Sequence, residues 1–149
     1  MGAAESEPFY VGKFRHALDA KNRVTIPSKW RFYGDDAANY VGWAHPEGYV
    51  AVYPPRKIRE FREKMRVIAE SDRKGQQTLR RLFGEAHQFG CDTQGRIKLD
   101  QSLVLSAGLS KRVMLVGLGE TFNLWSAERY QEQESEEFDL LSAMRDFGI

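Results

Sequence analysis

A short turn signature occurs twice in the chain and constrains its fold more than any other feature. The first copy occupies residues 18–27 and the second occupies residues 91–99. In both copies an Asp is followed four residues later by an Arg, and alternating apolar residues come next. The interval between Asp19 and Asp92 equals the interval between the two Arg residues. Repetition at a fixed distance indicates that one small folding unit is used twice.

The residue types in this signature predict a particular turn. An Asp that opens a turn accepts hydrogen bonds from backbone N–H groups one or two residues later. Asn22 and Gly95 stand at matching positions, and Asn and Gly are the residue types that best tolerate a positive φ. We therefore assign the shaping of the backbone to Asp19 with Asn22 and to Asp92 with Gly95. Each Arg would then leave its turn at the start of a strand.

The elements around the two turns also follow one another in the same order. A strand enters each turn, a short strand leaves it, and a short helix and two further strands follow. If the middle loop is shortened by one residue, four apolar pairs match: Trp43 with Leu115, Val50 with Phe122, Val52 with Leu124 and Tyr53 with Trp125. We interpret the chain as two β-β-α-β-β units with appended helices, an α+β fold. Each unit is too small to bury its own core, so the two must pack together.

This interpretation divides the chain into five segments. They are a disordered lead (residues 1–8), a first unit (9–54), a helical connector (55–86), a second unit (87–126) and an acidic C-terminal helix (127–149). Apolar residues at helical spacing predict two helices in the connector, and Gly75 is expected to separate them.

Charge is distributed unevenly, although the net charge is only +1. Residues 9–33 carry +5, residues 56–81 carry +6 and residues 126–149 carry −5. A basic body with an acidic tail indicates a polyanionic partner, with solvated helix faces as the alternative. For residues 56–81, a solvated face or pairing with the acidic tail of a neighbouring chain is favoured over contact with the polyanion.

The sequence gives little support to an enzyme. His16, His45 and His87 are far apart and lack metal-ligand spacing. Cys91 is the only cysteine and lies in a strand pattern, which favours a core thiol over a nucleophile. Gly-rich phosphate loops and Ser elbows are absent. We expect no catalytic residue, metal, cofactor or small-molecule substrate.

No stretch approaches the roughly 20 apolar residues of a membrane helix. The N-terminus lacks the apolar core of a signal peptide, and a lone cysteine fits a reducing compartment. We therefore expect no membrane association and a cytoplasmic protein.

Several segments resemble MraZ proteins. They are residues 9–12, 18–27 and 30–31 in the first half, and 92–97, 107–111, 113–117 and 122–125 in the second. One Asp-x-x-x-Arg would carry little weight, but two at equivalent places with their flanking strands are specific. The resemblance covers roughly residues 9–145, which is nearly the whole chain.

The resemblance implies a tandem pair of AbrB-like units that form a double, swapped-hairpin β-barrel. It implies a transcriptional regulator of the nucleoid, which binds double-stranded DNA upstream of cell-division and cell-wall genes. It also implies a homo-oligomeric ring whose subunits present their Arg-bearing turns together.

Two residues depart from the family pattern. Asn22 stands where Gly is usual, with little expected effect, and Asp100 stands where Pro is common. Because Asp100 is acidic, the second half is expected to bind DNA more weakly or to serve mainly assembly.

On this hypothesis Arg23 and Arg96 each contact guanine O6 and N7 in DNA. Five other basic residues would hold phosphates and set the register: Lys13, Arg15, Lys21, Lys29 and Arg31.

Other interpretations remain open from the sequence. Each Asp–Arg pair can be an ion pair within its turn that has no partner outside it. The chain can also be an oligomeric protein-binding scaffold or a non-specific architectural DNA-binding protein. RNA binding would require exposed stacking aromatics beside the Arg residues, and the sequence places none there clearly.

Overall fold

The computed structural model describes residues 8–32 and 39–149 of the 149-residue chain. The strands are β1 (Lys13–Ala17), β2 (Arg23–Thr25), β3 (Tyr40–His45), β4 (Tyr49–Tyr53), β5 (His87–Phe89), β6 (Arg96–Lys98), β7 (Arg112–Gly117) and β8 (Phe122–Ser126). The helices are α1 (Pro55–Arg66), α2 (Arg73–Phe83), α3 (Gln101–Ser106), α4 (Ala127–Glu134) and α5 (Leu140–Asp146), with one 3-10 turn at Ser28–Trp30. All but the last residue of the predicted disordered lead lies outside the described residues. Within those residues, every helix is too short or too polar to cross a membrane.

The strands form two antiparallel sheets. One has six strands in the order β1-β7-β8-β4-β3-β5, and the other is the ribbon β2-β6. The first strand of each half pairs with the third strand of the other half, β1 with β7 and β5 with β3. The α+β class expected from the sequence is confirmed, and this exchange of partners is the one that a swapped hairpin requires.

A closed barrel does not form from the described strands. The six-stranded sheet ends at β1 on one side and at β5 on the other. The turn that follows each of these edge strands carries the chain out of the sheet and into the β2-β6 ribbon. Because the ribbon pairs only with itself, it lies against the sheet as a second layer instead of joining its edges.

The strand register has a two-fold pattern. Ala51 pairs with Asn123 at the centre of the β4–β8 pairing, and Val24 pairs with Ile97 at the centre of β2–β6. The expected match of Trp43 with Leu115 is wrong. Leu115 is fully buried and pairs with Leu124 of β8. In the first half the residue that pairs with the equivalent Val52 is Gly42, which is also buried. The one-residue difference between the halves therefore falls in the β3–β4 turn, later than the sequence comparison placed it.

The core lies between the ribbon and the inner face of the large sheet. Residues in or directly after the ribbon strands meet sheet residues there, all at 0–1% exposure: Val24, Ile26, Ile97 and Leu99 with Val50, Val52, Phe122 and Leu124. Trp30 closes one end, with its ring centroid 5.5 Å from that of Tyr10 and 5.2 Å from that of Phe14. Its indole N–H donates to the carbonyl of Val11 at 3.1 Å, so this large side chain is buried with its polar group paired.

The connector contains two helices, as expected, but Gly75 does not separate them. Helix α1 ends at Arg66, and the break falls before Asp72, whose carboxylate accepts from the N–H of Gly75 at 2.9 Å. Asp72 is thus the N-cap of α2, and Gly75 lies in its first turn. A Cβ at Gly75 would meet the side chains of Ile68 and Asp72, so glycine is needed here for a close approach.

The acidic C-terminal segment forms two helices instead of the single helix expected. Glu136 and Glu137 follow the C-terminus of α4, where negative charge opposes the helix dipole and discourages extension of the helix. The carboxylate of Asp139 then accepts from the N–H of Ser142 at 3.1 Å and starts α5 as its N-cap.

Candidate nucleic-acid interface

The first turn is closed by one carboxylate. Asp19 Oδ1 accepts from the backbone N–H groups of Lys21 at 2.9 Å and Arg23 at 2.8 Å. Its Oδ2 accepts from Arg23 Nε at 2.7 Å. Asn22 has a φ of 61° and donates its N–H to the carbonyl of Asp19 at 3.0 Å. Asp19 thus holds the backbone of the turn and also fixes the direction of the Arg23 side chain.

The second turn has the same hydrogen bonds. Asp92 Oδ1 accepts from the N–H groups of Gln94 and Arg96, both at 2.9 Å. Its Oδ2 accepts from Arg96 Nε at 2.9 Å. Gly95 takes the positive φ, at 79°, and donates to the carbonyl of Asp92 at 3.0 Å. Both turns therefore present an Arg at the start of a ribbon strand in one fixed geometry.

The carboxylates titrate below their ordinary range. The backbone N–H of Arg23 is the main cause of the lowered pKa of Asp19, and the Arg23 side chain adds to it. The N–H of Arg96 is likewise the main cause of the lowered pKa of Asp92. Both groups are therefore ionised in the folded protein at neutral pH.

We expect Arg23→Ala to remove only part of the pKa depression of Asp19, because the backbone N–H persists in the variant. Carbon-detected NMR titration of the Asp19 carboxyl measures this. A return of the pKa to its ordinary value would contradict the turn geometry.

The lowered pKa of Asp19 also gives the direction in which stability changes with pH. The stabilisation contributed by the turn is fully present above the unfolded-state pKa and is lost as pH falls through the folded-state pKa.

Neither Arg is sealed in the interior. The side chain of Arg23 is 29% exposed and that of Arg96 is 27% exposed. In each, Nε is held by the Asp of its own turn. Within residues 8–32 and 39–149, the two terminal nitrogens of each guanidinium have no hydrogen-bond partner. The edge that can form a bidentate contact thus remains open.

The ribbon holds the two turns together. The N–H of Ile26 donates to the carbonyl of Gly95, and the N–H of Leu99 donates to the carbonyl of Asn22, both at 2.8 Å. Each turn is therefore anchored by the strand that leaves the other. The ribbon also pairs Arg23 with Lys98, an exposed basic residue that the sequence interpretation missed. Alternation along β6 was the available signal, since Lys98 shares a face with Arg96.

The other basic residues of the hypothesis are not all at the turns. Lys21 lies exposed in the first turn, and Lys29 and Arg15 are exposed on the 3-10 turn and on β1. Arg31 belongs to the second turn. Its Nε and Nη2 donate to the carbonyl of Ile26 at 3.0 and 2.9 Å, and its guanidinium covers Gly95.

Lys13 is drawn away from the turns. Its ammonium lies 3.4 Å from Glu134 and 5.3 Å from the ring centroid of Tyr130, both on α4. Tyr130 and Glu134 raise the pKa of Lys13. The structure therefore places Lys13 in a contact between β1 and α4.

Asp100 has a structural task near the second turn. It caps α3, accepting from the N–H of Ser102 at 2.9 Å and from its hydroxyl at 2.7 Å, and these bonds lower its pKa. Ser102 also lies 2.9 Å from His87 Nε2. This is not a catalytic triad, because the hydroxyl donates to Asp100 and the carboxylate does not orient the imidazole from its other nitrogen. Across the described chain, no three metal-ligating side chains converge.

Cys91 fits the core thiol expected from the sequence. It packs against the core partly buried, and burial raises the pKa of its thiol. A raised pKa keeps sulfur protonated at neutral pH, which is unfavourable for a nucleophile.

Comparison with known proteins gives consistent matches. A family model described as "MraZ protein, putative antitoxin-like" matches residues 82–145. A transcriptional regulator MraZ of Pediococcus pentosaceus is 34% identical, over 94% of this chain and 99% of its own length. One from Natranaerobius thermophilus is 31% identical over the same shares. One from Burkholderia mallei is 33% identical over 84% of this chain and 87% of its own. The chain therefore belongs to the MraZ family, whose members are transcriptional regulators and not enzymes.

Proposed function

We propose that this chain regulates transcription by binding double-stranded DNA in a sequence-specific manner through its two Arg-bearing turns. The observation that carries the proposal is the shared geometry of the turns. Each holds Nε of its Arg on an Asp and leaves the outer guanidinium edge open. Guanine O6 and N7 present two acceptors at the spacing that such an edge matches. Relatives named as transcriptional regulators support the same function.

In this proposal Arg23 and Arg96 read bases, while neighbouring cations hold the backbone of the duplex. Lys21 and Lys98 are exposed beside the first turn and are suited to phosphates. Asp19 and Asp92 carry the wrong charge to meet phosphate and serve to orient the Arg side chains. Asp100 places a further negative charge near the second turn, so the first turn contributes more of the affinity.

Two turns in one chain give few contacts, so we propose that DNA is bound by a homo-oligomer, arranged as a ring. Counterion release increases with the number of phosphates neutralised, and an array of turns therefore binds far more tightly than one subunit. The resemblance to MraZ proteins adds that the DNA sites are short repeats upstream of cell-division and cell-wall genes and that the protein is associated with the nucleoid. We further propose that residues 9–54 and 87–126 are two copies of one unit joined by residues 55–86.

Selection of bound duplexes from a random pool at a fixed salt concentration tests the proposal. We expect enrichment of closely spaced direct repeats that each contain guanine, with affinity falling steeply as salt rises. A bound pool without sequence enrichment would reduce the protein to an architectural role. No retention of duplex at low salt would favour the protein-binding scaffold instead.

A further inference from the structure

A groove on the helical side of the molecule has both apolar and basic walls. It has a volume of about 600 Å³ and lies between helices α1 and α2 and the β3–β5 edge of the large sheet. Ile58, Met65 and Phe83 supply apolar surface, and Arg59 and Arg62 supply positive charge. Neither Arg forms an ion pair with an acidic side chain of residues 8–32 or 39–149. The groove is therefore suited to a segment that is both apolar and acidic.

The C-terminal segment of the chain has this composition. Phe138 is 75% exposed, Leu141 is 66% exposed and Phe147 is 80% exposed, so large apolar side chains on and around α5 face solvent. Four acidic residues accompany them: Glu136, Glu137, Asp139 and Asp146. Large exposed apolar groups concentrated in one short segment mark an interaction site.

We propose that residues 136–149 of one chain bind in the α1–α2 groove of a second copy. The apolar side chains would pack against Ile58, Met65 and Phe83, and the acidic residues would pair with Arg59 and Arg62. The regions involved carry opposite charge, +6 in residues 56–81 and −3 in residues 136–149. This inference names the subunit contact of the oligomer in the proposed function and rests on that part of it.

The position of the segment favours a second copy over its own groove. Helix α4 starts at the end of β8 and reaches the β1 edge, where Glu134 contacts Lys13. The groove lies at the opposite edge, beside β3 and β5, and β3 is four strand spacings from β1, about 19 Å. In the structure the segment does not occupy its own groove, because the side chains of Phe138, Leu141 and Phe147 remain 75%, 66% and 80% exposed.

A contact of this kind joins different surfaces of the two copies. Each chain then has one donor segment and one acceptor groove, so association proceeds head to tail and forms a ring when the rotation between neighbours closes. Rings arise from such head-to-tail contacts without two-fold symmetry between neighbours. The acidic tail would then be used in assembly, and the ribbon turns would remain free for DNA.

Two variants separate the halves of the contact. The tail variant carries Leu141→Ser and Phe147→Ser, and the groove variant carries Arg59→Glu and Arg62→Glu. All four side chains are exposed, so the fold should be retained. We expect each variant to self-associate about tenfold or more weakly than the unmodified chain in sedimentation experiments without DNA. Leu105→Ser, which alters an apolar side chain 69% exposed on α3, is the matched control and should leave the mass unchanged.

Mixing the two variants gives the sharpest test. The groove variant keeps an intact tail and the tail variant keeps an intact groove, so the mixture should form a species of two chains that cannot grow further. Oligomers of unchanged mass in either variant would overturn the proposal, as would an unmodified chain that is monomeric at all concentrations. The test of assembly is separate from the test of DNA binding, because substitution of Arg23 should weaken DNA binding without altering the mass of the oligomer.

Discussion

Arg23→Ala should weaken binding to a selected duplex by about 5- to 150-fold for each turn engaged, because one bidentate Arg–guanine contact contributes about 1–3 kcal/mol. In an oligomer the losses combine, so binding should be undetectable at concentrations that saturate the unmodified protein. Fluorescence anisotropy at constant salt measures the change. Arg23→Lys should lose nearly as much, because Lys keeps the charge but cannot form the two parallel hydrogen bonds. Arg96→Ala should have a smaller effect on affinity. Asp100 places a negative charge near the second turn, and the guanidinium of Arg31 covers Gly95 in it.

Arg66→Ala is the matched control for this experiment. Arg66 lies on α1, is 70% exposed and pairs with Glu63 at 2.7 Å, far along the chain from both turns. Its replacement should leave the affinity for DNA within about twofold, because Arg66 is not part of either turn. The fold should also be retained, since an exposed ion pair contributes little to stability. Equal losses from Arg66→Ala and Arg23→Ala would show that general positive charge, not the turn geometry, holds DNA. Loss of the oligomer in Arg23→Ala would assign that residue to assembly.

Gly95→Ala should destabilise the fold by about 2–3 kcal/mol. A side chain at a φ of 79° costs about 1 kcal/mol by itself. The added Cβ would also overlap the guanidinium of Arg31, which must then leave the carbonyl of Ile26 and lose two hydrogen bonds. Urea unfolding at one fixed protein concentration measures the change, because stability of an oligomer depends on concentration.

Asn22→Gly is the control at the equivalent position of the first turn. Asn22 already has a φ of 61°, and its side chain donates to Gln101 Oε1 at 2.7 Å on the surface. Removing that side chain should change the free energy of unfolding by less than about 1 kcal/mol. Similar losses at the two positions would mean that Arg31 does not restrict the second turn. Adding Arg31→Ala to Gly95→Ala should cause little further loss, because the overlap has already displaced the guanidinium, and this non-additivity would support the overlap directly.

The local parts of the site were accessible from the sequence because short-range chemistry fixes them. Asp19 and Asp92 act on residues two and four positions later, and Asn22 and Gly95 take the positive φ expected of their residue types. None of these contacts depends on distant parts of the chain. The strand register agrees with the spacing of the two signatures. Val24 and Ile97, each the residue after the Arg of its signature, pair across the ribbon.

Residues brought together by packing were not predicted. Arg31 was assigned to phosphate but covers Gly95 of the other half, and Lys13 was assigned to phosphate but contacts α4. Lys98 was overlooked although it pairs with Arg23 across the ribbon. Trp43 was matched with Leu115 because both are apolar, whereas the sheet buries Gly42 there against Phe89.

The sequence by itself determined the duplicated turn and the α+β class, because hydrogen bonds within a turn and the alternation of a strand are encoded over a few residues. Its resemblance to MraZ proteins identified the family. Only the tertiary structure decided that the halves exchange strands, that the ribbon packs on an open sheet as a second layer, and which basic side chains lie beside the turns. Those outcomes depend on contacts between residues roughly 45 or more positions apart. There the burial of shared apolar surface sets the pairing, and the local pattern carries no information about it.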